Sequence, residues 1–262
     1  MKVQDKHIWL TGASMGIGEA LARALDAQGA RLILSARSAD KLAVLRASLK
    51  HPQRHKIVPL DLSRAETLPD VVAQADLSDG LDMLINNGGI SQRGPAAQTP
   101  LSVQRQVMEV NYFGTISLTQ ALLPALRQNQ GMLVNIASVA GKVGGQGMSG
   151  YAASKHALIG YMDCLRAEET HHGVKVLNVC PGFVQTNISV NALTESGQPY
   201  GEVAKSIAEG ISAADCAQQI ILAIHKDKFE VVIGKGLSAL APYIKRWFPN
   251  FFFRLSARKN IR

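Results

Sequence analysis

Cysteine is scarce: Cys164, Cys180 and Cys216 are the only three in 262 residues. An odd count at wide spacing supplies neither a disulfide framework nor a zinc ladder, and it fits a reducing compartment. Long apolar runs are missing too. No uninterrupted stretch approaches the roughly 18 residues that a membrane-spanning helix needs. The opening segment, MKVQDKHIWLTGAS, lacks the apolar centre of a secretory signal. The expectation is a soluble, cytoplasmic protein. There is no G-X-Y period, which excludes a collagen-like rod, and no internal repeat or linker.

Acids are absent from the last part of the chain. Residues 240–262 hold Lys245, Arg246, Arg254, Arg258, Lys259 and Arg262 without an Asp or Glu, so six of the formal net charge of +8 sit there. The body is nearly balanced, which argues against a nucleic-acid partner. The same tail carries Tyr243, Trp247, Phe248, Phe251, Phe252 and Phe253. Two readings stay open. An extension over 234–262 packs beside a substrate pocket or a neighbouring subunit, because aromatics need burial. Alternatively, residues 240–262 make a peripheral contact with an anionic membrane.

What is present is apolar material, 47% of the residues, enough for a sizeable core. Short apolar runs at His7–Leu10, Arg31–Ala36, Lys56–Leu60, Leu81–Asn86, Gly131–Ser138, Val174–Cys180 and Phe229–Ile233 read as seven strands. The spacing predicts helices at Gly16–Gln28, Ala39–Leu49, Leu68–Leu77 and Ala213–His225, and longer ones within Pro100–Leu126 and over Tyr151–His171. Strands alternating with helices demand a largely parallel sheet covered on both faces. The expected class is α/β, one doubly wound domain over residues 1–262 with a seven-stranded parallel sheet.

Leu10-Thr11-Gly12-Ala13-Ser14-Met15-Gly16-Ile17-Gly18 stands between the first strand and the first helix. Gly12 permits a tight turn, Gly16 lets the backbone approach a pyrophosphate, and Gly18 lets helix and strand close on each other. The helix N-terminus then offers N–H groups to phosphates. A glycine-rich turn without a ligand is the plain alternative, and the position opening a βαβ unit argues against it. The second strand ends Ser35-Ala36-Arg37-Ser38, without the carboxylate that would hold the ribose hydroxyls of NAD. Arg37 stands where a 2′-phosphate would be met, and Ser14 adds a hydroxyl. NADP(H) is therefore the expected cofactor, with NAD(H) as the alternative. Arg37 as an ordinary solvent-facing residue is the competing reading. Asp61, after the third strand, would by chemistry alone cap the next helix.

Tyr151 and Lys155 are four apart in a helical run and share one face. A Lys cation beside a Tyr favours the phenolate and lowers a pKa otherwise near ~10. Such a phenol exchanges a proton with an alcohol or carbonyl. Ser138 ends the fifth strand, at the sheet edge where open α/β folds place their sites. A Tyr–Lys pair alone is usually a surface contact. Here it stands in order with the glycine loop, Asn86-Asn87-Gly88-Gly89, Asn111-Tyr112-Phe113-Gly114, Ser138, Tyr151-Ala152-Ala153-Ser154-Lys155 and Pro181-Gly182-Phe183-Val184-Gln185-Thr186. This set resembles the short-chain dehydrogenase/reductase family over roughly residues 5–233. The stretches Ile90-Ser91-Gln92-Arg93 and His156-Ala157-Leu158 narrow the likeness to the branch of the dehydrogenase/reductase member 7 proteins and their bacterial relatives.

The resemblance implies a Rossmann-type domain and hydride transfer between nicotinamide and a carbonyl or secondary alcohol. It assigns Tyr151 as acid and base, and Lys155 as the group that lowers the Tyr151 pKa and holds the nicotinamide ribose. Ser138 would bind the substrate oxygen, and Asn111 would support a relay water. Gly12, Ser14, Met15, Gly16, Ile17 and Gly18 would cradle the cofactor phosphates. Asp61 and Leu62 would meet the adenine, and Asn87 and Gly88 the adenosine ribose. Pro181, Gly182, Val184 and Thr186 would flank the nicotinamide. The family usually has Ala where this chain has Gly89. Homodimers or homotetramers through the helices around Asn111 and Tyr151 are implied as well.

The segment 187–211, with Ile188, Val190, Leu193, Tyr200, Val203 and Ile207, is expected to act as a lid. Its apolar content suits a lipophilic small molecule, and Ser91, Gln92, Met148 and Phe183 are expected to line the same pocket. His156 is expected to pack rather than to catalyse. No metal is expected. The competing functions are an NAD-dependent dehydrogenase, a non-redox short-chain enzyme such as an epimerase or dehydratase, and a non-enzymatic NADP(H)-binding sensor or structural protein.

Overall fold

The computed structural model describes residues 1–258, so Lys259 and Arg262 of the basic tail lie outside the described residues. The strands are β1 (His7–Thr11), β2 (Arg31–Ser35), β3 (Lys56–Ile57), β4 (Met83–Asn86), β5 (Met132–Ile136), β6 (Lys175–Pro181) and β7 (Glu230–Ile233). They form one sheet in the order β3-β2-β1-β4-β5-β6-β7, and every neighbouring pair is parallel. The expected seven-stranded parallel α/β sheet is therefore present.

Side chains alternate across the sheet, and both faces are apolar, as a sheet covered twice requires. Ile8, Leu10, Leu32, Leu34, Met83 and Ile85 face one layer. There they meet Leu21 and Leu25 of α1 (Gly16–Ala27) and Ile220 and Ile224 of α8 (Ala213–His225). Trp9, Ile33, Leu84 and Leu133 face the other layer. They meet Leu118 and Leu122 of α5 (Gly114–Gln128) and Leu158 and Met162 of α6 (Ser149–Glu169).

The remaining helices are α2 (Ala39–Ser48), α3 (Leu68–Ala73), α4 (Leu101–Met108), α7 (Lys205–Ala208), α9 (Gly236–Trp247) and α10 (Pro249–Ala257). Three expectations change in detail. The third strand is only two residues long. The chain still runs beside β2, with Val58 and Leu60 N–H donating to Leu34 O and Ala36 O, but it lies at the sheet edge and Pro59 brings no donor. The helix expected over Leu68–Leu77 stops at Ala73. The long helix around Asn111 is interrupted by a π-helical turn over Glu109–Phe113.

The chain order reverses between β1 and β4, the neighbours that lie side by side at the sheet centre. In open α/β sheets this reversal opens a crevice at the carboxyl ends of the strands. The glycine loop leaves β1 there, and Asn87-Gly88-Gly89 leaves β4.

Candidate active site

Tertiary contacts hold the glycine loop open. Gly12 and Gly16 adopt φ of +63° and +58°, a region that side chains disfavour. A Cβ on Gly12 would come within 2.8 Å of Gly88 Cα, and one on Gly16 within 3.0 Å of the Thr186 methyl. A Cβ on Gly18 would strike the Gly12 carbonyl. Met15, the residue before α1, supplies no side-chain cap, so no side chain there satisfies the first N–H groups of the helix. A bare helix N-terminus under a cradle without Cβ atoms fits a pyrophosphate. Ser14 and Ile17 are half-buried in this loop, and Met15 is exposed.

A residue not singled out from the sequence locks the cradle. Thr11 is buried, and its hydroxyl accepts from Asn87 N (3.0 Å) and Gly88 N (2.9 Å). Asn87 answers by donating from Nδ2 to Thr11 O and Gly12 O, both at 3.1 Å. The Asn87 side chain thus braces the loop. Leu62 is buried against Gly88 and Gly114. Asp61 does not cap a helix: its carboxylate accepts from Ser63 N and Oγ in a tight local turn. At the end of β2, Ser35 is buried beneath Trp9, accepting from its Nε1 (2.9 Å) and donating to Val58 O. Arg37 is exposed and makes no ion pair among the described residues.

Ser138 follows β5 and begins a short turn, accepting from Ala140 N at 3.0 Å. Tyr151 and Lys155 project from the first turns of α6. The Lys155 ammonium is buried and donates to Ile136 O (3.0 Å) at the end of β5, with its Nζ 6.0 Å from the centre of the Tyr151 ring. Desolvation pushes the Lys155 pKa down to about 8. Desolvation also raises the Tyr151 pKa, and a hydrogen bond with Ser138 opposes it. Burial thus disfavours the charged form of each group.

Asn111 lies within the π turn and is fully buried. Such turns occur often at functional positions. Its Oδ1 accepts from Ile90 N (2.8 Å), and its Nδ2 donates to Ile90 O (2.9 Å) and Ser154 Oγ (3.0 Å). Ser154 is a second positioning residue missed from the sequence, although it lies inside the Tyr151–Lys155 motif. A Cβ at Gly89 would stand 3.0 Å from Asn111 Oδ1 and 3.6 Å from Lys155 Nζ, so this position borders both groups.

Pro181 ends β6, and Gly182 N donates to Ile233 O (2.7 Å). Val184 is buried and bridged to Ile211, while Phe183 is exposed. Thr186 packs its methyl on Gly16, joining this loop to the cradle. Ser91, Gln92, Met148 and the 187–211 segment meet through bridges pairing Gln92 with Leu193 and Gly94 with Met148. Gln92, however, is buried. Its amide donates to Gly94 O and Thr99 Oγ1, and its Oε1 accepts from Gly150 N. It is a brace beneath the pocket rather than an open lining group. The segment 187–211 is not all loop, because α7 forms within it. Arg93 sits 4.5 Å over the Tyr200 ring and ties this segment to the β4 side. The His156 ring stays on its own helix, bonding Ala152 O.

Residues 6–196 match the family model described as short chain dehydrogenase. The chain is similar to dehydrogenase/reductase SDR family member 7B of Bos taurus, 41% identical over 98% of this chain and 82% of the relative. A short-chain dehydrogenase from Burkholderia cenocepacia, solved in complex with NADP, aligns with a TM-score of 0.82 at 25% identity, covering 99% of this chain and 100% of that one. A short-chain dehydrogenase/reductase from Burkholderia phymatum, solved in complex with NAD, shares the fold at TM-score 0.82 and 23% identity, covering 100% and 98%. With the glycine cradle, the Ser138–Tyr151–Lys155 cluster and these matches together, the chain belongs to the short-chain dehydrogenase/reductase family of oxidoreductases.

Proposed function

We propose that the protein is an NADP(H)-dependent oxidoreductase acting on a carbonyl or secondary alcohol of a lipophilic small molecule. The observation that carries this reading is the convergence of Ser138, Tyr151 and Lys155 at the crevice that the glycine cradle opens. When bound, the nicotinamide supplies or accepts the hydride. Tyr151 holds the proton for the substrate oxygen. The protonated phenol donates in carbonyl reduction, and the phenolate accepts in alcohol oxidation. Ser138 directs its hydroxyl to the same oxygen and stabilises charge developing there. Lys155 spends one N–H on Ile136 O and keeps its other donors for ribose hydroxyls. Asn111, whose two amide donors are engaged, would hold a relay water linking Lys155 to solvent.

Arg37 is the basis for preferring NADP(H). It is exposed and unpaired by any acid among the described residues, and Ser35 occupies the strand end where a carboxylate would stand. The two Burkholderia proteins were captured with different cofactors, so the choice rests on this residue. Exposed Leu101 and Phe113 support association of two copies through the face carrying α4 and the π turn.

A panel of ketones, aldehydes and alcohols followed by NADPH and NADH absorbance tests the reading. Turnover with NADPH is expected, and Arg37→Asp should raise KM for NADPH by about tenfold or more while changing KM for NADH little. An equal effect on both cofactors removes the role given to Arg37. Tyr151→Phe should lower kcat by roughly 10²–10⁴-fold with NADPH affinity retained. NADPH binding without turnover on any substrate would favour a sensor.

A further inference from the structure

Exposed large apolar side chains cluster on the α9–α10 hairpin, which carries seven of the fifteen among the described residues. Leu240, Tyr243, Trp247, Phe248, Phe251 and Phe253 are all exposed, Trp247 at 71% and Phe248 at 66%. On α9 the first three of these, with Leu237, recur every three or four residues, so they form one outward stripe. The opposite side of α9 is occupied: Ala241 and Ile244 pack with Phe252, Val139 and Val143. Arg246 and Arg254 stand next to exposed Trp247 and Phe253 in the chain, Arg258 is exposed at the end of α10, and no Asp or Glu occurs after Glu230. None of these arginines makes an ion pair among the described residues.

We propose that this hairpin seats the protein on an anionic lipid bilayer, aromatic side chains in the interface and arginines against the headgroups. Charge decides the occupant. A two-fold pairing of the surface with itself would bring two sets of cations together with no acid between them. An anionic bilayer satisfies both the apolar stripe and the unpaired charge. No described helix is long and apolar enough to cross a membrane, so the contact is peripheral.

The hairpin also borders the site. Ser238 at the start of α9 lies against Gly182, where a Cβ would meet its Oγ at 2.8 Å. Lys245 Nζ donates to Lys142 O (2.9 Å), and Gln146 Nε2 donates to Ser256 O and Ala257 O (3.3 Å each). These contacts clamp the loop that runs from Ser138 to Tyr151. A lipophilic carbonyl dissolved in the bilayer would then enter beside that loop. This entry route rests on the proposed function, whereas the lipid contact does not.

The chain has only two tryptophans, Trp9, which is fully buried, and Trp247, which is exposed, so a fluorescence shift on lipid addition reports Trp247. The full chain is mixed with phosphatidylcholine vesicles with and without phosphatidylglycerol, and sedimentation and emission are recorded. Co-sedimentation and a blue shift are expected only with phosphatidylglycerol, and both should fade at high salt. The pair Arg246→Glu and Arg254→Glu should weaken partition by about tenfold or more. Trp247→Ser with Phe248→Ser should abolish it, with circular dichroism and turnover of a water-soluble carbonyl retained. Quenching of the unsubstituted chain by brominated anionic lipid gives the same answer without any variant. Absence of binding, equal binding to neutral vesicles, or a blue shift that follows protein concentration alone would overturn the proposal, the last by making the hairpin a self-association surface. Vesicle binding by a chain that reduces no carbonyl would fault the proposed function and leave the lipid contact standing.

Discussion

At the scale of single residues, desolvation is the largest influence on the titratable groups Tyr151 and Lys155. Lys155 is a buried ammonium that donates to one backbone carbonyl, and desolvation lowers its pKa to about 8. A lysine lowered on folding destabilises the native state wherever it is still charged, so stability is lost as pH falls from the unfolded value through about 8. Lys155→Met should therefore stabilise the protein at pH 7 by about 1–3 kcal/mol, read as a higher Tm. It should also reduce NADPH turnover by roughly 10²-fold or more. An unchanged or lower Tm would show that the cost of burying this charge has been overstated. Tyr151, Lys155, Ser138 and Asn111 could be proposed from the sequence because their motifs are short and ordered. The upward shift of the Tyr151 pKa could not, because it depends on how much protein surrounds the hydroxyl.

At the scale of elements, polar residues under the sheet do work that spacing alone hides. Asp26, at the buried side of α1, accepts from His51 Nδ1 and His55 Nε2, both at 3.0 Å, and from Lys50 N. Burial alone would raise its pKa, yet the hydrogen bonds from His55, Lys50 and His51 outweigh burial and hold the carboxyl below its usual value. Desolvation keeps the His55 pKa below its ordinary value, with the Asp26 hydrogen bond opposing. His7 is lowered by burial as well. The unfolded histidines take up protons first, so Tm should fall as pH drops below about 6.5. A second loss should follow below the ordinary carboxyl pKa, where unfolded Asp26 takes up a proton, and should end once the native carboxyl is protonated too. Thermal melts from neutral to acid pH check this, and His55→Gln should flatten the first step. The same hidden work appears at Trp9–Ser35 and Thr11–Asn87. Each pair joins residues far apart in the chain, so neither was visible as a motif.

At the scale of the whole molecule, the C-terminal hairpin packs against the loop between Ser138 and Tyr151. Phe252 is its one buried aromatic, packed among Val139, Val143, Ala241 and Ile244. Removing that ring forfeits about 3 kcal/mol or more of packing if it is borne locally. Phe252→Ala should leave the sheet intact, increase amide exchange in residues 139–146, and raise KM for the carbonyl more than KM for NADPH. Unchanged exchange in that loop would mean that the hairpin does not support it.

Composition, periodicity and six short motifs were enough to determine the parallel α/β sheet and the family, and to single out the glycine loop, Asn111, Ser138, Tyr151 and Lys155 as candidates. Those properties follow from local pattern: apolar runs at strand length, glycines where a Cβ is forbidden, Tyr and Lys one helical turn apart. Tertiary structure alone decided the rest. It turned Gln92 from a lining residue into a brace, shortened the third strand at the sheet edge, set a π turn at Asn111, and left one aromatic of the basic tail inside and five outside. Each of these outcomes depends on which distant segments exclude water from a group, and that exclusion exists only once the chain has packed.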